Sequence, residues 1–152
     1  MRSNRVATLF WTFFLIAGTV YSEGGTMDSN RTIFSAEETQ RLFVHLGKAP
    51  YWTPAADQIE ELESLLPKYL GLHPPIDDKP VTNLSAYGRQ YFGVTENNRR
   101  LSYLNAFCSP ERFEDRREKE LILVKDGGSC YFQIHFDAAK KEFTRLLYNG
   151  KA

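Results

Sequence analysis

Three histidines, two cysteines and several carboxylates are the residues of this chain best suited to chemistry, and their spacing limits what each can do. His45, His73 and His135 fall in separate segments with no HxxxH-type spacing, whereas a metal centre needs three or four convergent ligands. No metal site is expected. Ser129 follows Gly127 and Gly128, but no GxSxG context surrounds it and no base can be assigned to it. The chain carries neither a phosphate-cradling glycine pattern nor a dinucleotide fingerprint, so no cofactor is expected either. Asp57, Glu60, Glu61 and Glu63 crowd one stretch. On an exposed helical face they read as solubility and dipole complementarity rather than acid–base machinery.

Cys108 and Cys130 are the only cysteines. A nucleophilic role needs a free thiol of low pKa, which an oxidising compartment disfavours. The compartment follows from the N-terminus. Arg2 and Arg5 precede an apolar run from Val6 to Val20, which closes in Val20-Tyr21-Ser22. That is the pattern of a secretory signal peptide over residues 1–22. The run is shorter than the roughly 20 apolar residues of a membrane span; an uncleaved anchor is the alternative. The expected location is periplasmic or secreted. There, two cysteines read first as one disulfide, because unpaired thiols oxidise outside the cytoplasm. Two buried thiols that never meet are the alternative.

Cleavage leaves 130 residues with 17 basic and 19 acidic side chains, a net charge of −2. A nearly neutral domain argues against nucleic acid or an anionic membrane as the main partner; a membrane enters only if the apolar segment stays attached.

Residues 23–34 read as a flexible leader and residues 35–152 as a single domain. Ser35 and Glu38 form a capping-box signature, which places a short helix at 36–46. Thr53-Pro54 starts a second helix, with Ile59, Leu62, Leu65, Leu66 and Tyr69 at helical spacing; Pro67 should kink or end it. Pro74, Pro75 and Pro80 mark an extended connection.

From Ser85 the periodicity becomes strand-like. Segments 86–94 and 99–108 flank the polar turn Thr95-Glu96-Asn97-Asn98 as a hairpin. The mixed charge run 111–120 reads as a solvated loop whose ion pairs contribute about 0–1 kcal/mol each, with partner docking as the alternative. A short strand follows at 120–125, then a turn at 126–129, a strand at 130–137 and a last strand at 142–148. In the strand at 130–137, Cys130, Phe132, Ile134 and Phe136 face one way; Tyr131, Gln133, His135 and Asp137 face the other.

The expected fold is therefore α+β: one or two N-terminal helices packed on a curved antiparallel sheet of four to five strands. Its outline is like cystatin or related helix-plus-meander folds, in architecture only, because none of the cystatin inhibitory motifs is present. A strict meander conflicts with the disulfide. It puts the strand at 120–125 between the two cysteines, with neighbouring strands about 4.8 Å apart, whereas a disulfide needs Cα atoms within about 7 Å. Either the sheet order is not sequential, or the segment 120–125 is bent or displaced.

Trp52 with Pro54, Tyr87-Gly88-Arg89-Gln90-Tyr91-Phe92-Gly93, Asn105-Ala106-Phe107-Cys108, Asp126-Gly127-Gly128-Ser129-Cys130-Tyr131-Phe132 and the closing Tyr148-Asn149-Gly150-Lys151-Ala152 resemble small exported bacterial proteins of uncharacterised function, over roughly residues 50–152. The resemblance implies a bacterial exported protein, favours a linked cysteine pair and brings no activity. In a bacterial protein the sequons at Asn30 and Asn83 are incidental; in a eukaryotic secretory protein they are possible glycan sites.

Tyr131, Gln133 and His135 form a polar ladder, and Tyr103, Tyr91 and Arg89 join its surface if the registers allow. The surface is a candidate binding site; the plainer reading is an ordinary solvated sheet face. The leading functional expectation is an exported, non-enzymatic module that binds a peptide, a protein or a small ligand. The alternatives are a small hydrolase or isomerase with a pocket inside the curved sheet, and a membrane-anchored envelope component.

Overall fold

The computed structural model describes residues 29–43, 50–75, 81 and 83–150. The expected signal segment 1–22, the leader up to residue 28, His45, the middle of the proline-rich connection and the closing Lys151-Ala152 lie outside the described residues. The described elements run β1 (Arg31–Ile33), α1 (Ala36–Leu42), β2 (Tyr51–Trp52), α2 (Ala56–Leu72), β3 (Gly88–Glu96), β4 (Arg99–Phe107), β5 (Tyr131–Asp137) and β6 (Glu142–Tyr148). The class is α+β, as expected. Among the described residues no helix is long and apolar enough to cross a membrane.

The sheet is mixed rather than purely antiparallel, and it has six strands. Its order is β1-β3-β4-β5-β6, with β2 also on β3. β3 to β6 form the expected meander. The Asn97-Asn98 turn joins β3 to β4 with both φ angles positive, 50° and 60°, as a tight hairpin turn requires. The leader's last residues form a strand after all: β1 pairs parallel to β3 from Arg31↔Arg89 to Ile33↔Tyr91. β2 pairs antiparallel further along β3, at Tyr51↔Val94 and Trp52↔Gly93. Two short strands thus share and cover one edge of the sheet.

Ser35 caps α1 as expected. The Glu38 N–H donates to Ser35 Oγ at 3.1 Å and the Ser35 N–H to Glu38 Oε2 at 2.8 Å, and these bonds hold the Glu38 carboxyl below its ordinary pKa. Thr53 does not cap α2. Its Oγ1 accepts from the Ala36 N–H at 2.8 Å and so ties β2 to the start of α1.

α2 buries Ile59, Leu62, Leu66 and Leu70 against the sheet, each worth about 1.5–3 kcal/mol. The helix runs through Pro67 to Leu72, past the expected end near Leu66. An interior proline costs about 3 kcal/mol. Burial of Leu70 and the contact of Tyr69 with Phe143, 4.8 Å between centroids, offset that cost.

The segment 120–125 is not a strand. It is extended, but it crosses the sheet face opposite α2, and its backbone bonds to side chains. The Ile122 N–H donates to Gln90 Oε1 at 2.9 Å, and Asn105 Nδ2 donates to the Ile122 carbonyl at 2.8 Å. With no strand between them, β4 and β5 are direct neighbours, with Phe107 facing Tyr131. Cys108 and Cys130 are the next pair along, 5.1 Å apart at Cα and joined as a disulfide. The geometric conflict disappears because the intervening segment lies over the sheet, outside its plane.

Candidate binding site

The sheet has two unlike faces. Toward α2, Tyr91, Leu104, Ala106, Phe132, Ile134 and Phe136 join the helix in the main core. One polar cluster interrupts that side. Glu63, on the flank of the helical stripe, accepts from the Tyr91 hydroxyl, from Arg31 and from Arg89 Nη1, the last at 2.7 Å. Arg89 is only 3% exposed. Glu63 therefore departs from the expected solvated carboxylate face. Burial and the neighbouring Glu63 charge both push the Tyr91 phenol well above its ordinary pKa. In this cluster the carboxylate is committed to two guanidinium groups and a phenol.

The opposite face carries a row of rings across three strands and a helix. Phe43, at the end of α1, lies 4.9 Å from Phe92 on β3 between centroids. Phe92 stacks on Tyr103 of β4 at 4.4 Å, and Tyr103 meets His135 of β5 at 5.0 Å. The register explains the row, because Phe92, Tyr103 and His135 are successive cross-strand partners. Phe34, Phe43, Val94 and Leu101 extend it into a second small core. This face is therefore not the plain solvated surface of a one-sided sheet.

Beside the ring row runs a chain of amides. Asn105 Nδ2 donates to Gln90 Oε1 at 3.0 Å, and Gln133 Nε2 donates to Asn105 Oδ1 at 3.1 Å. Gln90 Nε2 donates to the carbonyls of Arg117 and Glu120 at 2.6 and 2.7 Å, and Asn149 donates to the Val124 carbonyl. These amides hold the segment 117–124 over the sheet, so that Leu121 and Leu123 overhang the rings.

A cavity of about 150 Å³ results. Phe92, Tyr103 and His135 line it from the sheet, Phe43 and Tyr51 from α1 and β2, and Leu121 and Leu123 from the overhang. Leu123 stands at its mouth, 66% exposed. A second, more open hollow of about 370 Å³ meets the same Tyr103 and His135 from the other side, where Gln133, Arg145 and Leu147 line it. Arg145 sits at a bulge of β6 with φ 54° and reaches Glu96 at 2.6 Å. Burial pushes the Tyr103 phenol up to about 12.

Of the residues picked out in the sequence, Tyr103, Gln133 and His135 come together here, and Tyr131 shares their face beside the disulfide. Arg89 and Tyr91 do not join them; the register turns both toward α2, into the Glu63 cluster. His73 packs on Tyr69 at 4.1 Å, far along the chain from this face. Among the described residues no three His, Cys, Asp or Glu side chains converge as a metal site. Sequence reasoning missed Phe43, Phe92, Leu121 and Leu123 as site residues. Alternation on either side of the Asn97-Asn98 turn pairs Phe92 with Tyr103 and was the available signal. The overhanging leucines carried none.

No known family model matches the chain, and no match is found among curated proteins or solved structures. The α+β fold with its linked cysteine pair defines the class reached here.

Proposed function

We propose that this chain is an exported bacterial protein whose mature domain is a non-enzymatic binding module, with its site in the ring-lined cavity under the overhang. The observation that carries the reading is the cavity itself: an apolar space opening on the sheet face and bounded by Tyr103 and His135. Small-ligand sites are typically concave and mostly apolar, with a few placed polar groups. The disulfide suits an oxidising compartment, which agrees with the signal-like N-terminus. The polar groups on the α2 side are spent on one another in the Glu63 cluster, which leaves the outer face as the better candidate.

The test is a backbone-amide NMR titration of the exported protein with a mixed library of small molecules and short peptides. Shifts centred on Phe92, Tyr103, Leu121 and His135 support the reading. Shifts confined to other surfaces, or turnover of a substrate that is lost on His135→Ala, overturn it.

A further inference from the structure

We propose that a hollow of about 340 Å³ at the turn end of the sheet binds a small organic molecule through a dianionic group of the phosphate-monoester type, held by Arg99, Arg100 and Lys140. This site is separate from the ring-lined cavity and does not rest on it. Three segments meet there: the β3–β4 turn with Asn98, the β5–β6 connection with Ala138, Ala139 and Lys140, and the first turn of α2 with Gln58. Arg99 and Arg100 are neighbours on β4, so strand alternation sends them to opposite faces; at the end of the sheet both reach the hollow. Its size falls within the roughly 300–1,000 Å³ of small-molecule sites, which is room for an organic body beside the anionic group, and Trp52, Ala138 and Ala139 give that body apolar walls.

Three cations and one carboxylate line the hollow, which leaves it a net charge of +2. The carboxylate, Asp137, is already committed: Arg99 Nη1 lies 3.7 Å from its Oδ2, and the Lys140 N–H donates to its Oδ1 at 3.3 Å. Among the described residues neither the Arg100 guanidinium nor the Lys140 ammonium has an acidic partner, whereas Lys141, the next residue, pairs with Glu61. Arg100 is also held in place. Its guanidinium carbon lies 4.2 Å over the centroid of the Trp52 ring, and Trp52 is itself fixed, 8% exposed, with Nε1 donating to the Val94 carbonyl at 3.1 Å. A guanidinium stacked by its face keeps its in-plane N–H fork for other acceptors, and that fork fits two oxygens of one anion. The charge of +2 favours a dianion over a monocarboxylate. Residues 23–152 as a whole carry a net −2, so the attraction is local to the hollow and a polyanion such as nucleic acid is disfavoured.

Phenyl phosphate, benzoate and inorganic phosphate separate the parts of this proposal at pH 8, where a phosphate monoester carries close to two charges. Dissociation constants come from calorimetry on the exported protein at one low ionic strength. Trp52 is the only tryptophan beyond the N-terminal apolar run, so its emission is a second readout beside Arg100. Phenyl phosphate should bind most tightly, with benzoate about ten-fold weaker. Arg100→Gln should weaken phenyl phosphate by about ten-fold, the span of one charge-assisted hydrogen bond. Lys140→Gln, at an exposed position where folding is not at stake, should do the same, and Lys141→Gln should leave binding within two-fold. Equal losses in Lys140→Gln and Lys141→Gln reduce the effect to general surface charge and overturn the site. Benzoate as tight as phenyl phosphate overturns the dianion, and inorganic phosphate as tight overturns the organic body. No heat and no change in Trp52 emission with phenyl phosphate at millimolar concentration overturns the whole.

Discussion

Asn105 Nδ2 donates to Gln90 Oε1 at 3.0 Å, and the pair, one residue on each of two neighbouring strands, acts as the missing strand partner of the segment that crosses above them. Gln90 accepts from the Ile122 N–H and donates to the Arg117 and Glu120 carbonyls; Asn105 donates to the Ile122 carbonyl. Gln90→Leu leaves the Ile122 N–H, one Asn105 amide N–H and two carbonyls without their Gln90 partner; a fully buried group left so costs about 1–3 kcal/mol, and a part-buried one less because water replaces the bond. The expected result is a loss of about 2–4 kcal/mol in urea unfolding. Amide exchange should quicken across 117–124 while β3 to β5 stay protected. Uniform loss of protection would assign the amides to global stability alone.

The Glu63 cluster makes a different prediction. Removing one partner of a buried ion pair costs about 3–5 kcal/mol because the other charge stays buried, and Arg89 has almost no solvent access. Glu63→Ala should therefore destabilise far more than Glu61→Ala, whose side chain pairs with the exposed Lys141 and is worth about 0–1 kcal/mol. Thermal unfolding of the two variants side by side measures the contrast.

The same pair shows what the sequence carried and what it did not. Local devices were legible: the Ser35–Glu38 capping box, the Asn97-Asn98 turn and the apolar stripe of α2 each depend on residues a few positions apart. In the sequence Glu63 reads as one of the solvated acids because its partners, Arg31, Arg89 and Tyr91, come from two strands that the local pattern does not place. The run 120–125 reads as a strand from its sequence, and the structure keeps its extended course without any strand pairing. Its hydrogen-bond partners are side-chain amides, and apolar alternation does not distinguish those from a neighbouring strand. The same side-chain pairing resolves the conflict over the cysteines, because it leaves β4 and β5 adjacent. The parallel β1 was hidden because three residues give too little periodicity to register, and Phe34 beside it, fully buried, was the overlooked sign that the fold reaches into the leader. At the candidate site the ladder of β5 was legible and its roof was not.

Gly93 is where the backbone admits no side chain. A Cβ there would lie 2.3 Å from the Trp52 ring and 2.4 Å from the Trp52 carbonyl oxygen. Backbone cannot step aside as a flexible side chain can, so Gly93→Ala must push β2 off the edge of β3. Overpacking of this kind costs about 1–3 kcal/mol. It should also disturb Arg100, which lies 4.2 Å over the same ring. Near-UV circular dichroism of the Trp52 environment, followed through a thermal melt, should show both effects; an unchanged signal and midpoint would be evidence against the close contact.

The disulfide constrains the loop that carries the overhang. Cys108 and Cys130 are 22 residues apart, and closing a loop of that length lowers the entropy of the unfolded chain enough to stabilise the fold by about 3 kcal/mol. Replacing both cysteines by alanine should lower the urea midpoint accordingly. The backbone bond from the Cys108 N–H to the Cys130 carbonyl, at 2.8 Å, keeps the strand ends paired in the variant, so the fold should survive. Two thiols that alkylate in the native, unreduced protein would contradict the bond itself.

Alkaline stability follows from the phenols. Tyr103 is held at about 12 by burial, against about 10 in the unfolded chain. Below pH 10 both states keep the proton and the pH does not discriminate between them. Above it the unfolded chain loses the proton first, so unfolding is favoured until the folded phenol also ionises near pH 12. Two pKa units correspond to about 2.7 kcal/mol, lost between pH 10 and 12. Tyr91, raised in the same direction by burial and by Glu63, adds to the loss over the same rise. The wild-type protein should thus destabilise steeply in that window, and Tyr103→Phe should flatten the slope while leaving the part due to Tyr91. Urea midpoints measured from pH 8 to pH 12 give the comparison. Equal slopes for wild type and Tyr103→Phe would mean that the phenol is hydrated in the native state, and with it the floor of the cavity.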